Sequence, residues 1–224
     1  MIKREDNGSP IAEDIRKVSL NEGVAPKHLA GAIKTGECIV ISSRRGKEPV
    51  GIGKGLRAKF ACIVGTSAYE LGADKVIQKA KSAVEHGAAV IHNGSTGGNV
   101  KAVHRRLLEE IDAPLAICHP VNVMANAGFH KRNFLELDER EFIDQVREDI
   151  GLGTEVLLLP LGITKSVVDK LTKCSRIMPC CSKAGSIMSS WIFHNKKENP
   201  YCRHYDEILA MAKEYGTAIS IVGS

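Results

Sequence analysis

Residues 180–199 hold the densest group of side chains with chemical reach. Cys180-Cys181-Ser182-Lys183-Ala184-Gly185-Ser186 follows the apolar run 176–179, which reads as a short buried strand. A helix carrying the chain's only tryptophan, Trp191, begins near Gly185. The start of a helix leaves backbone N–H groups unpaired, and with Ser hydroxyls and a Lys beside them they suit a phosphate or a carboxylate. Ser95-Thr96-Gly97, after the apolar run 88–91, is a second turn of similar chemistry. The candidate anion contacts are therefore Ser95, Thr96, Gly97, Ser182, Lys183, Gly185 and Ser186. The competing reading is structural: a Ser cap at one turn, and small residues required by tight turns at both.

A second set could hold a metal. Cys62, His92, Cys118, His119, Cys180 and Cys181 fall near the ends of four apolar runs. Three or four soft N and S ligands on one rim would suit zinc or another thiophilic ion. Against this, Cys packs readily as a small hydrophobe. One of the thiols could be a nucleophile, but no paired base is visible. His28, His86, His104, His130, His194 and His204 fall on helices or loops and read as surface residues.

The elements that must position these groups alternate. Strands are predicted at 37–42, 59–64, 88–91, 114–118, 155–159, 176–179 and 217–222, and helices at 11–21, 26–34, 73–86, 100–111, 138–150, 165–172, 185–195 and 201–215. Asp138 and Glu141 form a capping-box start for one of these helices. Residues 49–56 read as a Gly-rich basic loop, whose Gly51-Ile52-Gly53-Lys54-Gly55 lacks the P-loop spacing. Continuous apolar strands alternating with helices predict a parallel α/β protein. Polar residues recur at the strand C-termini, which favours a (β/α) TIM-type barrel, with seven strands visible and the eighth missing. A doubly wound open sheet is the alternative. Residues 1–10 read as a loose segment and 11–224 as one barrel domain.

Composition fits that picture. Aromatic residues make up only 4% of 224 residues, so the core must be Ile, Val, Leu and Ala. The net charge of +5 comes from 31 basic and 26 acidic residues spread along the chain, which suits an anionic small molecule better than nucleic acid. No run approaches the ~20 apolar residues of a membrane span. The polar start, without an apolar stretch behind it, and the odd count of seven Cys predict a cytoplasmic protein with reduced thiols.

With these turns placed, the sequence resembles the phosphomethylpyrimidine synthase family. Pro49-Val50-Gly51-Ile52-Gly53-Lys54-Gly55-Leu56-Arg57-Ala58-Lys59, followed by Gly65-Thr66-Ser67, is similar to the family's loop before its Asn-Ala-Asn-Ile-Gly segment. Ser95-Thr96-Gly97-Gly98-Asn99 is similar to its Leu-Ser-Thr-Gly turn. Gly185-Ser186-Ile187-Met188, with Trp191, Glu198 and Asn199, is similar to its Ser-Arg-Gly-Gly-Ser-Ile-Met segment and the helix after it. Ala218-Ile219-Ser220-Ile221 matches its Ser-Leu-Ser-Leu. The resemblance implies a (β/α)8 barrel and a radical carbon–carbon lyase of thiamine biosynthesis, acting on aminoimidazole ribotide with S-adenosylmethionine and a [4Fe-4S] cluster. A sister group turns the same substrate into hydroxybenzimidazole.

The chain departs from the family at defined positions. Ala61 and Ile63 stand where the family has two Asn, His92 where it has Met, Pro160 where it has His, and Lys183-Ala184 where it has Arg-Gly. No Cys-x-x-Cys-x4-Cys spacing occurs. A polar substrate atom facing Ile63 instead of Asn loses a partner, at a cost of ~1–3 kcal/mol. The expectation is a family member that is not active alone. The alternatives are a barrel binding another phosphorylated metabolite, or a non-catalytic subunit of an active paralogue. An unclosed barrel exposes two strand edges, which predicts a homo-oligomer or a partner chain that completes it.

Overall fold

Apolar runs bounded by Gly, Pro and short polar turns give this chain its strands, and amphipathic stretches between them give its helices. The computed structural model describes residues 12–222 except Arg44, Glu70 and Leu71. The segment 1–10, expected to be loose, lies outside the described residues. In chain order the elements are α1 (Ala12–Glu22), α2 (Pro26–Lys34), β1 (Cys38–Ile41), β2 (Val50–Gly53), β3 (Phe60–Val64), α3 (Ala73–Glu85), β4 (Ala88–Asn93), α4 (Val100–Glu110), β5 (Leu115–Cys118), α5 (His119–Phe129), α6 (Glu139–Leu152), β6 (Val156–Leu159), α7 (Lys165–Leu171), α8 (Lys183–Asn195), α9 (Pro200–Arg203), α10 (Tyr205–Tyr215) and β7 (Ala218–Ile221). A 3-10 turn, Phe134–Glu136, precedes α6.

Strands β3 to β7 form one parallel sheet in the order of the chain, and β1 and β2 form a separate antiparallel pair. The chain is thus a mixed α/β protein with a five-stranded parallel sheet, and barrel closure is not part of the described structure. The seven strands are not the seven expected. Residues 176–179 form no strand: Ile177 is fully exposed and Met178 is 65% exposed. The run has only two apolar residues before Pro179, which has no N–H to give a ladder. Strand β6 instead pairs directly with β7, from Val156 opposite Ala218 to Leu159 opposite Ile221.

The extra strand is β2, expected as a Gly-rich loop. A Cβ on Gly51 would lie 2.5 Å from Val18 Cγ1, so the glycine allows α1 to close on the hairpin. Helix α5 was not expected beyond Pro120. It has no charged residue and is buried on most sides, with Val121, Asn122, Val123, Ala125 and Ala127 all inside, so it shows no amphipathic period. The capping box at Asp138 and Glu141 is present as expected.

The sheet has two different faces. On one, Ile91 and Leu115 pack against α3 and α4, and Ile117, Leu157 and Leu159 pack against a core from α6, α8, α9 and α10. That core contains Phe142, Trp191 and Tyr201 in edge contacts of 5.5 and 5.8 Å. On the other face, Val90, Ala116 and Val156 meet Ile41 of the hairpin.

Glu155, just before β6, joins the hairpin to the sheet. Its carboxylate accepts a hydrogen bond from Ser43 Oγ at 2.5 Å and from the Leu115 N–H at 2.8 Å. Lys47 Nζ lies 3.6 Å away, in ion-pair range but beyond a hydrogen bond, and both side chains are buried. Burial lowers the Lys47 pKa, with Glu155 opposing that shift. Removing one partner of such a pair strands the other charge. Glu155→Ala is therefore expected to lower the unfolding free energy by about 3–5 kcal/mol, read from the urea midpoint at constant slope.

Candidate functional site

Parallel strands in chain order send all their C-terminal ends the same way. One cavity of about 300 Å³ collects a residue from or beside each: Ile63 of β3, His92 of β4, Cys118 of β5, Leu158 of β6 and Val222 just after β7. Gly94, Val121, Ser182, Lys183 and Ala184 complete the wall. A somewhat larger cavity, about 340 Å³, lies against the hairpin and α1 at the other end of the sheet. Its buried Glu22 is already paired with Lys59 at 2.8 Å and with the Arg57 N–H at 2.8 Å. Sites in parallel α/β folds sit at the C-terminal ends, and the smaller cavity is lined by His92, whose buried Nε2 has no hydrogen-bond partner.

Helix α8 enters this cavity by its N-terminus. Ser182 is its cap and accepts from the Gly185 N–H at 2.9 Å. Lys183, the first helical residue, is exposed at the wall. Ser186 turns away, donating its hydroxyl to the Cys180 carbonyl at 3.3 Å. Opposite stands His92, half-buried, whose Nε2 has no hydrogen-bond partner. Burial lowers its pKa, so the ring is neutral at pH 7. Burial also pushes the Cys118 thiol up to about 11, against smaller opposing effects of the Val121 backbone and Lys183. A thiol held protonated is a weak nucleophile.

The Ser95-Thr96-Gly97 turn is used differently from α8. Ser95 is fully buried: its Oγ accepts from the Thr66 N–H at 3.1 Å and its carbonyl from Asn122 Nδ2 at 3.2 Å. The Thr96 N–H donates to the Thr66 carbonyl at 2.8 Å, and Thr66 Oγ1 donates to the Gly97 carbonyl at 2.6 Å. Gly65 permits this approach, since a Cβ there would lie 2.4 Å from the Ser95 nitrogen. None of Ser95, Thr96 and Gly97 lines the cavity. They brace its rim, whereas Ser182 and Lys183 reach it.

The six candidate metal ligands are not gathered in one place. His92 and Cys118 share the cavity. Cys62 alternates with Ile63 along β3 and packs on the opposite face, against the core under α3. Cys181 is exposed, and Cys180 is half-buried with its Sγ near the Ser182 carbonyl. His119 opens α5 instead of ending a strand, and it turns into the core. Its Nδ1 lies 2.8 Å from Tyr201 Oη, and its Nε2 lies 3.3 Å from Asp149 Oδ2. The Nε2–Oδ2 contact is in ion-pair range but lacks hydrogen-bond geometry, and among the described residues neither atom has another hydrogen-bond partner.

Asp149, Tyr201 and His104 are the polar residues that sequence reading missed. His104, expected at the surface, is 2% exposed, with Nε2 2.8 Å from Thr154 Oγ1. Its signal was present: it sits beside Val100, Val103, Leu107 and Leu108 on the apolar stripe of α4.

A family model described as the radical SAM ThiC family matches residues 3–224. The chain belongs to that family. Phosphomethylpyrimidine synthase of Methanopyrus kandleri is 28% identical over 224 residues, covering 99% of this chain and 52% of the relative. Phosphomethylpyrimidine synthase of Thermodesulfovibrio yellowstonii is 30% identical, covering 94% and 50%. A 5-hydroxybenzimidazole synthase of Moorella thermoacetica is 30% identical, covering 94% and 49%. The chain spans about half the length of the curated relatives it matches.

Radical SAM ThiC chemistry implies S-adenosylmethionine and an iron–sulfur cluster. Among the described residues no three His, Cys, Asp or Glu side chains converge to hold a metal, and the cysteines at 38, 62, 118, 174, 180, 181 and 202 lack the family's three-Cys spacing. No described helix is long and apolar enough to cross a membrane.

The buried histidines set an acid limit. Burial, partly offset by Asp149, lowers the His104 pKa below its ordinary 6.5, and His92 shifts the same way. Above pH 6.5 both rings are neutral in the folded and unfolded chain, so stability is full there. Below it the unfolded chain takes up protons that the folded chain refuses, so stability falls. Urea unfolding at pH 7.5 and 5.5 should show a loss of up to about 1.4 kcal/mol per pH unit for each ring. His104→Gln should flatten that slope.

Proposed function

We propose that this chain serves phosphomethylpyrimidine synthase chemistry in thiamine biosynthesis, a carbon–carbon lyase reaction on aminoimidazole ribotide, and that its own part is to grip the phosphate end of the ribotide. The five-stranded sheet is then an arc of a (β/α) barrel, with the cavity at its mouth. The observation that carries the reading is the cavity with the start of α8 on its wall. With the Gly185 N–H taken by Ser182, the helix start leaves the Lys183 and Ala184 amides without intrahelical partners. These amides and the Lys183 ammonium give a phosphate two kinds of donor, one fixed by the backbone and one charged. Neutral His92 across the cavity can accept or donate one hydrogen bond to the ribotide.

S-adenosylmethionine and the cluster come with the family, and their radical chemistry belongs to parts of its length outside this chain. On that reading the chain does not turn over substrate alone. What its own residues do is hold the phosphate, keep Cys118 protonated and wall the base with Ile63 and Leu158. Ile63 also favours a second reading, in which the cavity takes another phosphorylated metabolite with a less polar base.

Calorimetry with aminoimidazole ribotide tests the proposal. The chain should bind it, and Lys183→Ala should weaken binding by about 10- to 100-fold, as expected for loss of one charged hydrogen bond. The melting temperature should not move, because Lys183 is exposed. Ile63→Asn should tighten binding about fivefold or more if the family's base lies there. No binding by the parent chain sinks the first reading. Binding with no response to Ile63→Asn favours the second.

A further inference from the structure

The segment between α7 and α8 carries three of the chain's seven cysteines, and the function proposed above uses none of them. Cys174 and Cys181 are exposed and Cys180 is half-buried, all as free thiols. The backbone from Ser175 to Pro179 makes no hydrogen bond among the described residues, and every residue in it is exposed. Little therefore resists its rearrangement.

Chain direction selects a pair. Fully extended, residues 174–181 would hold their end cysteines ~23 Å apart, whereas a disulfide needs Cα atoms ~4.4–6.8 Å apart. The chain does not run extended: it bends at Ile177, Met178 and Pro179. Ile177 and Met178 lie midway between the two exposed cysteines, so folding back there sets Cys174 opposite Cys181. Cys180 is held on the other side, with its Sγ 3.8 Å from the Ser182 carbonyl and its own carbonyl accepting from Ser186 Oγ at 3.3 Å.

Charge selects the reagent. No acidic residue stands between Asp169 and Glu198, while Lys173, Arg176 and Lys183 lie within two places of the two thiols. Such a surface draws in an anion. An anionic low-molecular-weight disulfide, of the oxidised glutathione class, matches both the charge and the thiols.

We propose that Cys174 and Cys181 are a thiol pair that such a disulfide oxidises, and that the bond between them releases the anion grip of α8. One cysteine sulfur attacks the reagent, forms a mixed disulfide and expels one thiol; the other cysteine then displaces the second. Two electrons pass from the cysteines to the reagent, and the two cysteine protons go to the two thiols released. Cys181 precedes the cap Ser182, so drawing it towards Cys174 pulls Ser182 and Lys183 off the cavity wall. The release rests on the phosphate grip proposed above, and the disulfide does not.

The test treats the full chain with oxidised glutathione or with dithiothreitol, alkylates it and cuts it with trypsin without further reduction. Trypsin cuts after Lys173, Arg176 and Lys183, so the bond joins peptide 174–176 to peptide 177–183. The joined peptide should appear only after oxidation, persist in Cys180→Ser and vanish in Cys181→Ser. Its absence, glutathione left on separate thiols, or a bridge that needs Cys180 overturns the pair. Calorimetry on the same samples reads the switch. Oxidation should weaken aminoimidazole ribotide binding about tenfold or more, as for loss of one charged hydrogen bond, and Cys181→Ser should bind equally in both samples. An unchanged affinity overturns the switch. A reduced chain that binds no ribotide sinks the phosphate grip and the switch with it, while the joined peptide still decides the pair.

Discussion

The seating of α8 is the constraint on which the site depends. In a regular β/α repeat a strand delivers each helix to the rim, but here the segment before α8 forms no strand and is exposed from Thr172 to Pro179. The helix is held from its far side instead. Trp191 is fully buried against Phe142 of α6, and its indole N–H donates to the Leu137 carbonyl at 3.1 Å. Asn195 Nδ2 donates to the Leu135 carbonyl at 2.9 Å. An aromatic of this size contributes several kcal/mol of burial at ~25 cal/mol per Å². That is enough to fix a 13-residue helix without a ladder behind it. The cation at residue 183 reaches the cavity because a tryptophan two turns away is locked in the core.

Buried polar groups hold the rest of the frame, and they do so at the joints between layers. Glu155 ties the hairpin to β5 and β6. His119 and Tyr201 tie the start of α5 to α9, directly behind Cys118. Asn199, also fully buried, donates to the carbonyls of Pro160 and Ile163 and accepts from the Tyr201 N–H. Each such group costs several kcal/mol if left without partners, so each fixes one arrangement of the elements it joins. The cavity floor inherits that rigidity: Cys118 and His119 are neighbours, one facing the cavity and the other pinned in the core.

The sequence made some of this legible and hid the rest for physical reasons. Four of the five parallel strands and their outer helices announced themselves, because a continuous apolar run beside an amphipathic period has few other ways to fold. The fifth, β7, was visible too, but its place next to β6 was not. That depended on residues 176–179 failing to enter the sheet, a tertiary outcome that their hydrophobicity argued against. Gly51 misled in the opposite direction, since glycine marks both loops and close-packed strands. The family turns were found from their residues, yet the roles of the turns differ. Ser182 and Lys183 meet the cavity and Ser95 does not, because strand alternation and loop stitching cannot be read from residue type.

That difference between the two turns bears on what a diverged family member can keep. An anion grip made by the start of a helix is written mostly in backbone geometry, so it tolerates exchange of neighbouring side chains, as with Lys183-Ala184 in place of Arg-Gly. Recognition of a base is written in single side chains, and one exchange such as Ile63 for Asn removes both a donor and an acceptor. The phosphate end of a ligand is therefore the part a diverged cavity loses last. On the proposed reading, specificity for the rest comes from the apolar contacts that Ile63 and Leu158 offer along the cavity wall.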